Sequence, residues 1–191
     1  EVIRSEENVP KYEAMRRMFR ERHIPERWVV WLDDDSWITA EDWFLHHRRI
    51  LEAKSSACYL GQPWVWYYQP GQTEWIQSRP WYRGVPFEQR VHPKTGLKAR
   101  SVKFATGGYW WLRSDLIEQL DWPDCGLSHN GGDVMLGEAV RQAGKSLLEI
   151  DYGVRVNQAP RRGRSEPPVG TPAARQLAEA KAAAPAAAGR S

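Results

Sequence analysis

Three consecutive carboxylates, Asp33, Asp34 and Asp35, directly follow an apolar run at residues 28–32, and a second apolar stretch follows them. Like charges a few ångströms apart resist joint ionisation, so acids in this arrangement need positive charge among them. Hard divalent cations take carboxylate oxygens as ligands. The triplet therefore predicts a metal or phosphate site. The alternative is a solvated acidic turn after an edge strand.

The run before the acids contains valine, leucine and tryptophan without polar interruption. An uninterrupted apolar run of this kind predicts a strand that is buried on both faces. In open α/β sheets, ligands bind at the carboxyl ends of such strands. The acids are therefore expected at a ligand-binding edge.

Two further motifs carry residues with chemical potential. A paired glycine, Gly107-Gly108, lies inside the apolar strand predicted at 102–112, which indicates a bulge or a close approach of a ligand. Asp133 stands at the start of a helix, where the helix dipole favours the ionised carboxylate, and it is a candidate general base. The alternative role of Asp133 is a plain N-cap.

Strands and helices alternate along the chain, which predicts a layered α/β sheet. Helices are expected from Pro10 to about Arg22, after Thr39 with Asp42 completing a capping box, after Ser114, and from 131 to Gly144. Strands are expected at 28–32, 57–68, 102–112 and 146–150, and hairpins with long loops at 69–100. His47 lies on the apolar stripe of its helix and is interpreted as a core histidine.

The composition is that of a globular domain with a tail. Apolar residues make up 41% and charged residues 27% of the 191 residues. The net charge of +3 is concentrated after residue 154, so the part before it is mildly acidic and a nucleic-acid surface is not indicated. Residues 159–191 are rich in Pro, Ala and Arg, which predicts a disordered tail.

Cellular location is predicted from the cysteines and from the hydropathy pattern. Cys58 and Cys125 form no CxxC motif, which is typical of reduced thiols in a cytoplasmic protein, although one disulfide stays open. No run of about 18 apolar residues exists, so no membrane span is expected.

The order of the three motifs resembles GT-A fold glycosyltransferases, and within them the fringe-like β-1,3-glycosyltransferases. The matching stretches are 31–35, 104–108 with Arg113 and Ser114, and 132–137. The resemblance covers residues 28–157 and implies a Rossmann-like mixed sheet flanked by helices, over residues 1–158. It further implies transfer of a sugar from a nucleoside-diphosphate sugar, in the first place a UDP-sugar, to an acceptor hydroxyl, with Mn²⁺ or Mg²⁺ as cofactor.

Site residues are carried over by position. The acids correspond to the family's DxD motif, in which Asp35 is the direct metal ligand. Asp33 is the second metal-binding residue, through water or beside the donor sugar, and Asp34 contacts the donor. Asp133 corresponds to the base that deprotonates the acceptor. The glycine strand adds three predicted substrate contacts: Gly107, Gly108 and Trp110.

The sequence departs from the family pattern at three places. Gly132 stands where the family has glutamate, and Asn157 stands near the expected place of a histidine metal ligand. Only 32 residues precede Asp33. A βαβ nucleotide-binding unit needs more than about 30 residues. Either part of the nucleotide-binding half is therefore expected to be missing, or uridine recognition is reduced or supplied elsewhere.

Two other functional classes fit parts of the pattern. A haloacid-dehalogenase-like phosphohydrolase also places Asp-x-Asp after an apolar strand, with Asp33 as nucleophile and Asp35 as acid/base, but Ser36 and Trp37 depart from that pattern. A non-catalytic sugar-binding or interaction module could use the eleven tryptophans. Metal-dependent binding of a nucleotide-sugar distinguishes the transferase from both.

Overall fold

The computed structural model describes residues 9–20, 24–33, 36–127 and 131–156. Asp34, Asp35, Asn157 and the predicted tail lie outside these residues. Within the described ranges the chain forms five helices and seven strands: α1 (Lys11–Arg20), β1 (Trp28–Leu32), β2 (Ser36–Ile38), α2 (Trp43–Ala53), β3 (Tyr59–Tyr67), α3 (Gln72–Gln77), β4 (Glu88–Val91), β5 (Lys98–Arg113), α4 (Ser114–Leu120), α5 (Gly132–Gln142), β6 (Leu148–Glu149) and β7 (Val154–Val156).

Five of the strands form one mixed sheet. Its order is β1-β5-β3-β6, and β4 pairs with another stretch of β5. All pairs are antiparallel except β3 with β6. The remaining strands, β2 and β7, form a separate antiparallel pair. The prediction of a mixed α/β sheet flanked by helices is therefore confirmed.

The central strand β5 is buried on both faces. Alternate side chains of a strand point to opposite faces. Trp110 and Leu112 accordingly face a core shared with α1, α4 and α5, whereas Tyr109 and Trp111 face a second core shared with α2. The helices lie on both sides of the sheet because β5 presents an apolar surface to each.

The first strand, β1, does not have the predicted burial. It pairs only with β5, and its residues are half-buried, with Leu32 38% exposed. The prediction of a strand buried on both faces is wrong here because β1 is at the edge of the sheet. Its apolar character reflects the tryptophans that pack onto β5, such as Trp31 stacked on Trp110 with ring centroids 6.0 Å apart.

Helix ends differ from the predicted caps. The N-cap of α2 is Asp42 and that of α4 is Arg113, and neither makes a side-chain capping hydrogen bond. The Thr39 capping box and the Ser114 cap are therefore wrong. The hydroxyl of Ser114 instead donates to the carbonyl of Glu26. The predicted loops at 69–100 contain α3 and the β4–β5 hairpin.

The histidine and cysteine predictions are confirmed. His47 is fully buried, and its ring hydrogen-bonds the hydroxyl of Tyr109 and the carbonyl of Tyr152. Burial lowers the pKa of His47, which suits a neutral core histidine. Cys58 and Cys125 are both free thiols.

Helix α1 joins the sheet through its apolar face. Tyr12, Met15 and Phe19 are buried in the core, and burial of each such side chain stabilises the fold by roughly 1.5–3 kcal/mol. At its C-terminal end Arg20 Nε lies 2.9 Å from a carboxylate oxygen of Asp121. The predicted helix is thus confirmed over Lys11–Arg20. Its first residue, Lys11, contacts Gly107 of β5.

The contact between Tyr12 and Gly132 fixes α1 against the start of α5. A Cβ at position 132 would lie 2.0 Å from Cζ of Tyr12. The ring of Tyr12 is buried and packs edge-on against Trp122, at a centroid distance of 6.4 Å. It therefore has little freedom to move aside, and position 132 accepts only glycine in this packing. This packing is the steric reason for glycine at position 132, where the resemblance had implied glutamate.

We expect Gly132→Ala to destabilise the protein by about 1–3 kcal/mol through overpacking, although alanine favours a helix by up to about 1 kcal/mol. Thermal and urea unfolding measure the change. The double variant Gly132→Ala, Tyr12→Leu makes room for the methyl group and should recover part of the loss. A Gly132→Ala variant as stable as the wild type would contradict the packing.

Candidate active site

The three sequence motifs meet at one edge of the large sheet. Asp33 follows the last residue of β1, the glycine pair lies in β5, and Asp133 is the second residue of α5. The backbone N–H of Asp33 donates to the carbonyl of Gly108 at 2.9 Å. The N–H of Gly107 donates to Oδ2 of Asp133 at 3.1 Å. The glycine pair therefore lies between the two acids.

A lysine neutralises Asp33. Nζ of Lys11 lies 2.7 Å from Oδ1 and 2.9 Å from Oδ2 of Asp33, and 2.9 Å from the carbonyl oxygen of Gly107. The indole N–H of Trp31 donates to Oδ1 of Asp33 at 2.6 Å. The side chains of Lys11 and Asp33 are 18% and 15% exposed, so this ion pair is shielded from solvent.

Asp33 in this arrangement does not fit a metal ligand. Both of its carboxylate oxygens accept hydrogen bonds from an ammonium group, and one accepts a second from an indole. The ammonium of Lys11 lies within 2.9 Å of both oxygens, so its positive charge would repel a divalent cation placed there. Within the described ranges no group of three or more His, Cys, Asp or Glu residues could hold an ion. Asp34, Asp35 and Asn157 lie outside those ranges.

Asp133 is held by backbone amides and is largely withdrawn from solvent. Burial raises the pKa of its carboxyl, and this effect outweighs the hydrogen bonds from backbone amides, the positive charge of Lys11 and the bond from Gly107, all of which lower it. The sequence suggested that the helix N-terminus would govern the pKa of Asp133. In the structure, burial has the larger effect on that pKa. A raised carboxyl pKa makes the carboxylate a stronger base.

Tyr12 completes the start of α5. The N-cap residue, Gly131, has no side chain with which to bond the first amides of the helix. The backbone amides of Gly132 and Asp133 donate instead to the phenolic oxygen of Tyr12. Burial and the negative charges of Asp133 and Asp33 raise the pKa of Tyr12 well above its usual value, so Tyr12 stays a neutral phenol.

A narrow cleft lies beside Asp133, lined by Lys11, Tyr12, Gly107, Trp110 and Trp122 among others, and it is narrower than a water molecule. The indole N–H of Trp122 is buried and has no hydrogen-bond partner among the described residues. An unpaired buried donor has a free-energy cost of about 1–3 kcal/mol.

The predicted substrate contacts have structural roles in the described arrangement. A Cβ at Gly107 would lie 3.1 Å from Oδ2 of Asp133, and one at Gly108 would lie 2.3 Å from Cγ1 of Val156. The close approach that the glycines permit is therefore an approach of α5 and β7. Trp110 is 2% exposed and packs in the core between Trp31 and Phe19, which does not support a substrate contact.

Lys11 and Tyr12 were missed by the sequence analysis. Tyr12 lies on the apolar face of α1, which from the sequence indicates only a core residue. A lysine at a helix start carries no motif, and its partner Asp33 is 22 residues away. The three adjacent acids were one usable signal, since they need positive charge nearby and a lysine of the same chain can supply it.

Comparisons with known proteins bring no family to this chain. No protein-family model matches it, and no curated protein matches it either. Among the described residues, no helix has the length and apolar character that a membrane crossing requires.

We expect Asp133→Asn to raise the stability of the protein at neutral pH. The carboxyl pKa is higher in the folded than in the unfolded state, so stability is lost as pH rises from the unfolded pKa through the folded one. Asparagine keeps an acceptor oxygen and carries no charge. Thermal unfolding from pH 3 to 8 measures the effect: the variant should gain on the wild type as pH rises and equal it in acid. A destabilised variant at pH 7 would contradict this.

Proposed function

We propose that this protein is a glycosyltransferase of the GT-A type, which moves a sugar from a nucleoside-diphosphate sugar, in the first place a UDP-sugar, to an acceptor hydroxyl. We also propose that the sheet is of the GT-A, Rossmann-like type and that the three motifs correspond to those of the fringe-like β-1,3-glycosyltransferases. Asp133 is the general base.

One observation carries the proposal. Three stretches that are distant in sequence and were selected by their resemblance to one family lie side by side, since Gly107 bonds Asp133 while Gly108 bonds Asp33. Residues with only structural roles could converge in the same way. However, a shielded carboxylate beside an unpaired indole donor at a cleft has a free-energy cost for the fold, and such costs are typical of functional sites.

The proposed reaction is a direct displacement. The carboxylate of Asp133 accepts the proton of the acceptor hydroxyl as the hydroxyl oxygen forms a bond to the anomeric carbon of the donor. The bond between that carbon and the diphosphate oxygen breaks, and the nucleoside diphosphate leaves with the electron pair. Because the acceptor attacks opposite the leaving group, the configuration at the anomeric carbon inverts.

The chain's own residues have defined parts in this step. Gly107 holds Oδ2 of Asp133 through its amide at 3.1 Å, which orients the carboxylate. Tyr12 packs over the start of α5 and lines the cleft beside the base.

A Mn²⁺ or Mg²⁺ ion is part of the proposal through Asp35, with Asn157 as a candidate second ligand. When bound, such an ion would stabilise the charge on the leaving diphosphate. The described residues do not fit the ion, and no step above depends on it.

A second candidate, a non-catalytic sugar-binding or interaction module, is favoured by two observations. The ammonium of Lys11 forms an ion pair with the carboxylate of Asp33. The cleft beside Asp133 is too narrow to admit water. A phosphohydrolase is not favoured, because the same ion pair engages the proposed nucleophile Asp33.

Calorimetric titration of UDP into the protein, with and without Mn²⁺, tests the proposal. We expect binding that requires Mn²⁺, that is lost in Asp35→Ala and that is kept in Asp133→Asn. Asp133→Asn should lower sugar transfer or donor hydrolysis by about 10²–10⁴-fold, the usual contribution of a general base.

The matched control is Asp151→Ala, since Asp151 is exposed and distant in sequence from all three motifs. It should bind UDP as the wild type does. Sugar binding without nucleotide or metal would favour the binding module. UDP binding that does not depend on Mn²⁺ would contradict the metal's part in the proposal.

A further inference from the structure

The ammonium group of Lys11 has no donor to spare. A lysine ammonium has three N–H bonds. Three acceptor oxygens surround Nζ within 2.9 Å: both carboxylate oxygens of Asp33 and the carbonyl of Gly107. The group also lies 5.3 Å from the ring centroid of Trp31, a distance at which the face of an indole attracts a cation. All three N–H bonds of the ammonium are therefore used within the chain.

The carboxylate of Asp33 also accepts hydrogen bonds from within the chain at both of its oxygens. It accepts from Lys11 at both oxygens and from Trp31 at Oδ1. A divalent cation at Asp33 would stand close to the ammonium of Lys11 and repel it, so its binding would favour displacement of an ammonium that also holds Gly107. Because Lys11 belongs to α1, whose apolar face is buried in the core, that displacement would also disturb the docking of the helix.

We propose that Lys11 is the fixed cation of the candidate site and a positioning residue for Asp133, and that Asp33 is the counter-ion of Lys11 and not a ligand of a divalent cation. The link to Asp133 runs through one residue. Lys11 binds the carbonyl of Gly107, and the amide of Gly107 binds Asp133. Lys11 therefore determines where the glycine strand lies and, through it, the orientation of the Asp133 carboxylate.

This assignment explains why an acid triplet occurs where the sheet edge meets α1. Its first member neutralises a cation from the chain itself, so the charge of Asp33 does not require an external cation. The positioning role rests on the proposed function, whereas the ion pair and the exclusion of a metal from Asp33 do not.

A double-mutant cycle tests the ion pair. Lys11→Met and Asp33→Asn should each lower the unfolding midpoint by about 5 °C, because each leaves a shielded charge without its partner. The double variant should lose clearly less than the sum of the two. Lys11→Arg, which keeps charge and donors, should recover part of the loss. Lys98→Met, at an exposed lysine, is the matched control and should leave the midpoint unchanged.

The positioning role has a spectroscopic readout. In a ¹⁵N–¹H spectrum the amide resonance of Gly107 should shift in Lys11→Met and return toward its original place in Lys11→Arg. Lys98→Met should leave it in place. A general destabilisation of α1 would not shift the Gly107 resonance in Lys11→Met and then reverse that shift in Lys11→Arg.

Titration of Mn²⁺ tests the exclusion of metal from Asp33. Asp33→Asn should leave the dissociation constant for Mn²⁺ unchanged, whereas Asp35→Ala should raise it by about tenfold or more. Equal weakening by both substitutions would overturn the assignment of Asp33 while leaving the glycosyltransferase proposal standing. Tighter Mn²⁺ binding in Lys11→Met would overturn it as well, since Lys11 would then be a competitor of the metal at Asp33.

Failure of the proposed function gives a different result. A wild-type protein that binds neither UDP nor Mn²⁺ would contradict the glycosyltransferase, but the cycle and the Gly107 resonance would still decide the role of Lys11. Additive losses in the cycle, with an unmoved Gly107 resonance, would overturn the proposal on Lys11.

Discussion

The rest of the structure depends on β5, a 16-residue strand that is buried on both faces and pairs with β1, β3 and β4. A strand in this position must satisfy its backbone through neighbours and bury alternate side chains against helices on each side. Only at Gly107 and Gly108 does it lack side chains. There α5 and β7 approach its backbone closely, since a Cβ at Gly108 would overlap Val156 and one at Gly107 would lie tightly against Asp133. The candidate site forms at this gap.

Charge is the second constraint at the same place. Asp33 and Asp133 are both shielded carboxylates on either side of the glycine pair, and ionised groups in such surroundings need compensation. The structure compensates them differently. Asp33 has an ammonium and an indole N–H, whereas Asp133 has backbone amides and a raised pKa. Two acids in one site with different surroundings are suited to different tasks, one to hold the site together and one to exchange a proton.

Several elements could be predicted from the sequence because their signals are local. The apolar stripe of α1, the glycine-containing strand and the helix α5, whose second residue is Asp133, follow from periodicity and from turn residues within a few positions. Burial was harder to predict. The run 28–32 is as apolar as a central strand, yet β1 lies at an edge, since the number of neighbours of a strand depends on topology. The small pair β2–β7 was not predicted because each strand has only three residues.

The sequence by itself determined the mixed α/β class, the positions of the three motifs and the need for positive charge near the acids. The tertiary structure alone decided which group supplies that charge at Asp33, because Lys11 reaches the acid only once α1 has docked on the sheet. It also decided that glycine at position 132 makes room for Tyr12, and that burial rather than the helix dipole governs the pKa of Asp133. Each of these depends on contacts between residues far apart in the chain, and such contacts leave no local pattern in the sequence.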